Sequence, residues 1–436
     1  MLKRISLLFF LTSTCTLLAI KSTYASFIPQ NANDTALIAT LNRSPKAWTF
    51  AVYMGGANNL EMFTFWDIEE MQQVGTNTRI NIAAQQTTLQ ETNQYLINYN
   101  SSTTLQQLRK INSADTTNLQ AFFSKIFTQY PANYVCLILW DHGYGTMEPP
   151  FTFRSNQRTI KENRSFLIDT NYPVYQVGSV WGDVITTPKF VENLQALTTT
   201  IGHKIDILAF DACLMMQVEI LCACAPYCTY MVGCPKPLTA YGFWYNKFLE
   251  PFKTGHQSPL MVCKKMLNTF EDFCKLVGFE SYIMSTADPN YATQLEECFY
   301  HIAHDLRTCL AHQKGSSVKD TLYAATEESL IYDYPIFSDV YLFCQKIIEN
   351  IDDGSFELDP DDPELIAELR TYLVQAQTLV DQAILYCVKG TGTERLGKGI
   401  GIYFPLRPGY VLDSYATLNF ADNEWWNLIN DYINTF

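Results

Sequence analysis

Eight short runs rich in β-branched and aromatic residues punctuate the chain, at Ala47–Tyr53, Arg79–Ala84, Tyr95–Tyr99, Tyr134–Trp140, Lys204–Phe210, Tyr230–Gly233, Glu280–Ser285 and Gly399–Phe404. Several are apolar almost without interruption, which suits a strand buried on both faces. Helical patterns such as Thr116–Phe127 and Lys189–Leu197 lie between several of them. Strands and helices alternating in this way predict an α/β fold, a mostly parallel sheet with helices on both faces. From Asp288 onward helices dominate, at Tyr291–Ala311, Asp339–Ile351 and Pro363–Tyr386. A late strand at Gly399 is expected to return to the sheet, and a helix follows at Glu424–Ile433.

A length of 436 residues would suit about three domains of ordinary size. The pattern favours one large core over residues 46–250, with a helical C-terminal region over 251–436 that packs back onto it. Before the core, Lys3 and Arg4 precede an apolar stretch from Ile5 to Ile20, and Thr23-Tyr24-Ala25 offers small residues at the spacing of a signal-peptidase site. Residues 1–25 read as a secretory signal and 26–45 as a polar leader. The stretch is short for a bilayer span, which leaves an uncleaved anchor as the alternative. Removing it takes away three basic residues and no acids, so the net charge moves from −14 to −17. The mature protein is expected outside the inner membrane, secreted or periplasmic, with no membrane anchor. Such acidity disfavours nucleic acid and anionic membrane surfaces as partners. A monomer is expected.

In an open α/β sheet, ligands gather beyond the carboxyl ends of the strands. Two apolar strands end in reactive residues there: Tyr134–Trp140 runs into Asp141-His142-Gly143, and Lys204–Phe210 into Asp211-Ala212-Cys213. If the two strands are parallel neighbours, His142 and Cys213 meet although they are 71 residues apart in sequence. A helix starting at Leu214 would place Cys213 where helix N–H groups favour a thiolate. His142 could move the proton, and the amides of Gly143 and Cys213 could face a developing oxyanion. The alternative is a small buried hydrophobe at 213 and a turn residue at 142.

These segments resemble the clostripain family of cysteine endopeptidases, distant relatives of caspases, legumain and gingipains. The resemblance rests on Trp48–Met54 with Asn58-Asn-Leu-Glu61, Leu137–Gly143, Asp206–Met215 with Val218-Glu219, Ser285-Thr-Ala-Asp288 and Gly399–Pro405. It implies a caspase-like sheet, His142 as catalytic histidine, Cys213 as nucleophile, and protein or peptide substrates cut after Arg or Lys. Asp211 matches an acid of the family's specificity pocket, while its plainer role would be to cap the next helix. A second family acid is expected where Tyr241 stands, and Cys234-Pro-Lys236 replaces an acidic run. Tyr241 and Phe243 would then favour a larger or less charged side chain, and Lys236 would weaken a basic specificity. The resemblance also implies self-cleavage in the 150–165 loop, at Arg154, Arg158, Lys161 or Arg164. A rival reading is a catalytically silent or altered-specificity binding protein on the same fold.

No cofactor is required by this chemistry. Calcium, which some relatives need, could sit at the acidic run Asp359–Glu364, although a charged helix N-terminus with Pro363 in its first turn is the favoured explanation of the run. Gly392–Gly399 lacks the Ser/Thr and the following helix of a phosphate loop. Cys298, His301 and His304 share a helical face without a further ligand, and Cys222, Cys224, Cys228 and Cys234 read as buried thiols or one disulfide. No Gly-x-Ser-x-Gly elbow supports a serine esterase.

Overall fold

The structure, a computed structural model, describes residues 45–146, 164–172, 175–177, 180–312, 315–358 and 361–435. Its strands are β1 (Lys46–Gly55), β2 (Ile80–Thr87), β3 (Thr92–Asn98), β4 (Ser101–Leu108), β5 (Ala132–Trp140), β6 (Arg164–Asp169), β7 (Tyr175–Val177), β8 (Val180–Thr186), β9 (Ile205–Asp211), β10 (Cys228–Gly233), β11 (Ile283–Ala287), β12 (Phe337–Asp339), β13 (Ile384–Lys389) and β14 (Gly401–Tyr403). Nine of them form one sheet in the order β13-β11-β10-β9-β5-β1-β2-β3-β4. The five central strands are parallel, and each flank ends in antiparallel partners.

Both faces of the central strands are buried, as their unbroken apolar sequences require. Trp48, Phe50, Ile138, Trp140, Ile207 and Ala209 share one core cluster with the helices Glu61–Gln72, Tyr245–Leu249 and Pro259–Val277. On the opposite face Tyr53 meets Phe122 and Phe123 of the helix Thr116–Gln129, and Phe210 meets Phe190 of the helix Thr187–Ile201. Aromatic pairs at these spacings add to the stabilisation from area burial alone. β6, β7 and β8 form a small separate sheet. The self-cleavage candidates Arg154, Arg158 and Lys161 lie outside the described residues, as does the signal and leader region; Arg164 is the first residue of β6.

The C-terminal half is helical, with helices Ala292–Ala311, Gly315–Ser329, Val340–Asp352, Pro363–Ala383 and Glu424–Ile433. Two expectations change here. The helix expected to run to Tyr386 stops at Ala383, and the next six residues become β13 on the edge of the main sheet. The strand near Gly399 forms as β14, but it pairs with β12 outside the main sheet. No break separates the halves at residue 250, because β11 and β13 complete the same sheet and residues 44–436 form one compact unit. Asp362 caps the helix Pro363–Ala383 through Leu365 N. Asp359 lies outside the described residues, and no group of three or more His, Cys, Asp or Glu among the described residues is placed to hold a metal ion.

Candidate active site

β5 and β9 are parallel neighbours in register, with Trp140 beside Asp211. β1 feeds β2 on one side while β5 feeds β9 on the other, so the sheet's switch point opens a crevice at the ends of β1 and β5. Asp141, His142 and Gly143 leave β5 into it, and Ala212-Cys213 leave β9 beside them.

The sulfur of Cys213 sits in a nest of backbone donors. Leu238 N donates to it at 3.1 Å, and the amides of Gly143 and of Cys213 itself also point to it. Gly143 is required there, since a Cβ would collide with the Cys213 carbonyl oxygen. Burial nevertheless outweighs these donors and raises the thiol pKa, with the Asp211 carboxylate pushing the same way. The helix expected from Leu214 does not form. Leu214 is left-handed (φ 63°), its N–H donates to Lys236 O, Met216 N donates to Cys234 O, and the helix starts only at Val218. The thiol is therefore held by loop amides and receives no helix dipole.

His142 is half-buried, and desolvation lowers its pKa to about 4. Its Nε2 lies 2.9 Å from Asn59 Oδ1. An amide oxygen only accepts, so in this amide orientation the proton is on Nε2 and Nδ1 keeps the lone pair. Tyr144 stacks beside the ring at 6.3 Å. The histidine's backbone is braced by Asp141, whose Oδ1 accepts His142 N at 2.6 Å and Asn58 Nδ2 at 2.7 Å, and whose Oδ2 accepts Ile168 N at 2.8 Å. Leu167 N donates to His142 O at 3.0 Å from a left-handed backbone (φ 61°). Strained residues thus adjoin both reactive side chains, as functional sites commonly store strain.

Asp211 is buried and does not cap a helix. Its carboxylate accepts Phe243 N at 3.0 and 3.2 Å and the Tyr245 hydroxyl at 2.9 Å. Gly242, left-handed at φ 56°, lets the turn lie against it where any Cβ would clash. Desolvation raises its pKa to about 7. Tyr241 packs in an aromatic group, with Phe63 at 5.5 Å, Trp66 at 6.2 Å and Phe273 at 5.2 Å. Lys236 does not project into the crevice: it is 2% exposed and pairs with Asp333 at 2.9 Å and Glu394 at 3.6 Å. Its charge is thus compensated within the fold, contrary to the expectation that it would oppose a basic substrate.

Three contributors were given no role at the site by the sequence reading. Asn58 and Asn59 follow β1 as His142 follows β5, so the rule of polar residues after apolar strands could have found them. Leu238 acts through its amide, 25 residues after Cys213, and carries no side-chain signal.

The sequence profile of the clostripain family matches residues 52–358. Among solved structures, the chain is similar to a secreted C11 cysteine protease from Bacteroides thetaiotaomicron in complex with an irreversible peptide inhibitor, at 15% identity, 88% of this chain, 99% of that chain and a TM-score of 0.60. It is also similar to an inactive zymogen C11 protease from Parabacteroides distasonis, at 17% identity, with the same coverage of 88% and 99% and a TM-score of 0.54. No curated protein matches. With the family profile covering more than half of its length, and the large mostly parallel sheet shared with solved C11 proteases, the chain belongs to the clostripain family of cysteine peptidases.

Proposed function

We propose that the protein hydrolyses peptide bonds with Cys213 as nucleophile and His142 as the base that takes its proton and returns it to the leaving amine. The observation that carries this reading is the meeting of the two strand ends: Gly143, next to His142, lies so close against the Cys213 backbone that a Cβ there would collide with it. With the thiol pKa raised and the imidazole pKa lowered, the resting pair is neutral, so deprotonation accompanies attack. The bond formed is Sγ to the carbonyl carbon, the bond broken is carbon to amine, and water then releases the acid. In the resting state the sulfur occupies the amides of Gly143 and Cys213. As the sulfur swings onto the substrate it vacates them, and the carbonyl oxygen takes its place as it gains charge.

For specificity, Asp211 supports cleavage after Arg or Lys. It is a buried carboxyl with no cationic partner among the groups that shift it, and a guanidinium would both ionise it and pair with it. Tyr241 in place of a second acid favours a bulkier, less charged side chain. Self-processing in the loop before β6 and export through residues 1–25 complete the proposal; the first is supported by the basic residues of that loop and the second by the signal pattern. No described helix is long and apolar enough to cross a membrane. The test is a fluorogenic peptide scan of the residue before the cut. Cys213→Ala and His142→Ala should each lower kcat/KM by about 10³-fold or more, and D211N should erase any preference for Arg. No turnover of any peptide by the unsubstituted protein would favour the silent binding protein, and a preference for apolar residues that survives D211N would defeat the role of Asp211.

A further inference from the structure

Lys236 is buried at a point where three separate segments meet. Its Nζ donates to Ser281 Oγ at 2.6 Å, just before β11, and pairs with Asp333 before β12 and with Glu394 in the turn Thr393–Leu396. Glu394 is itself buried and accepts Gly392 N. A buried ammonium satisfied on several sides is rigid, because moving it would leave charges unpaired. The backbone around this lysine meets the nucleophile twice: Lys236 O accepts Leu214 N at 3.2 Å, and Leu238 N donates to Cys213 Sγ at 3.1 Å. On the far side, Asp333 is left-handed (φ 67°) and is followed by Tyr334, which is 37% exposed and close enough to Cys213 that a thiolate there would oppose ionisation of its hydroxyl. Phe337 closes the same loop against Gly145.

We propose that Lys236 is a positioning residue for the reaction. Its ammonium fixes the segment that presents the Leu238 amide to the Cys213 sulfur, and through Asp333 it holds Tyr334 as one wall of the substrate crevice. The C-terminal half thereby shapes both the nucleophile and the crevice of a site whose reactive residues all precede it. The proposal rests on the reading of Cys213 as nucleophile, so its main test reads the thiol directly and needs no turnover.

That test compares iodoacetamide alkylation of Cys213 across pH in the full chain, in K236M, K236R and D333N, with C213A identifying the adduct by mass. Asp211, Tyr144, Tyr334 and Cys234 interact electrostatically with the sulfur, His142 leaves the neighbouring strand end, and all are unchanged in these variants. K236M should alkylate about tenfold more slowly at neutral pH, the size expected from losing one hydrogen bond to a charged group, and K236R should recover most of the rate. D333N keeps a residue that tolerates the left-handed backbone. It should leave alkylation within about twofold and raise KM for peptides several-fold with kcat little changed. A folded K236M that alkylates at the unsubstituted rate would overturn the proposal. Should K236M fail to fold, D333N decides: a raised KM supports the wall, and an unchanged KM overturns it.

Discussion

Cys213 accepts a hydrogen bond from the Leu238 amide, with the amides of Gly143 and of its own residue also favouring the thiolate, and it still holds its proton, because the desolvation of a buried thiolate costs more than these donors return. His142 is disfavoured as a cation by the same burial. A preformed ion pair would react with alkylating agents over a broad plateau at low pH. This site should instead show a rate that climbs with pH through the thiol range, with no plateau between about pH 5 and 8. Iodoacetamide kinetics followed by mass spectrometry check this, and a flat rate across that interval would refute the neutral pair. His142, Cys213 and Asp211 were legible in the sequence because each follows an unbroken apolar strand, where chain direction alone puts side chains at the sheet edge. The amide of Leu238 and the ion pairs of Lys236 were not, since both depend on which loops the fold brings together.

Among the elements, the short helix Val218–Cys224 after the nucleophile is tied to the C-terminal half by Glu219, whose Oε1 accepts Tyr403 N and the Tyr415 hydroxyl, each at 2.8 Å. Burial raises this carboxyl from 4.5 to about 7. The native state therefore keeps a proton that the unfolded chain releases. The stability linked to it is full below about pH 4.5 and lost as pH rises to about 7. E219Q, which keeps the accepting oxygen and cannot ionise, should melt with the unsubstituted protein at pH 5 and a few degrees above it at pH 8.5. Melting curves at the two pH values check this, and identical curves at the higher pH would mean that Glu219 ionises without cost. The elements misread from sequence share a cause: their backbone bonds are decided by distant partners. Leu214 and Met216 look helical, yet their amides donate to the loop after β10. Ile384–Lys389 continues a helical pattern with no glycine or proline to mark the change, and becomes a strand because β11 offers an open edge. β4 is polar and half-exposed, so no apolar run announced it.

Across the whole molecule the sequence carries thirteen cysteines, and all twelve in the described residues are free thiols. Most are buried as small apolar side chains, with pKa values raised by desolvation. Unfolding without reductant in the presence of a maleimide should add twelve labels to residues 26–436, and reductant should leave the melting temperature unchanged. Fewer labels would reveal a bond absent from this fold.

The brace on His142 comes from β6, downstream of the loop proposed to be cut. A chain opened in that loop would carry its histidine on one piece and its cysteine on the other. The histidine's backbone partners, Leu167 N and Ile168 N through Asp141, would belong to the cysteine's piece. Neither fragment could then reach the working geometry alone. Activity would be a property of the reassembled pair, so denaturation and dilution should abolish it with second-order recovery, a dependence on concentration that the uncut chain lacks.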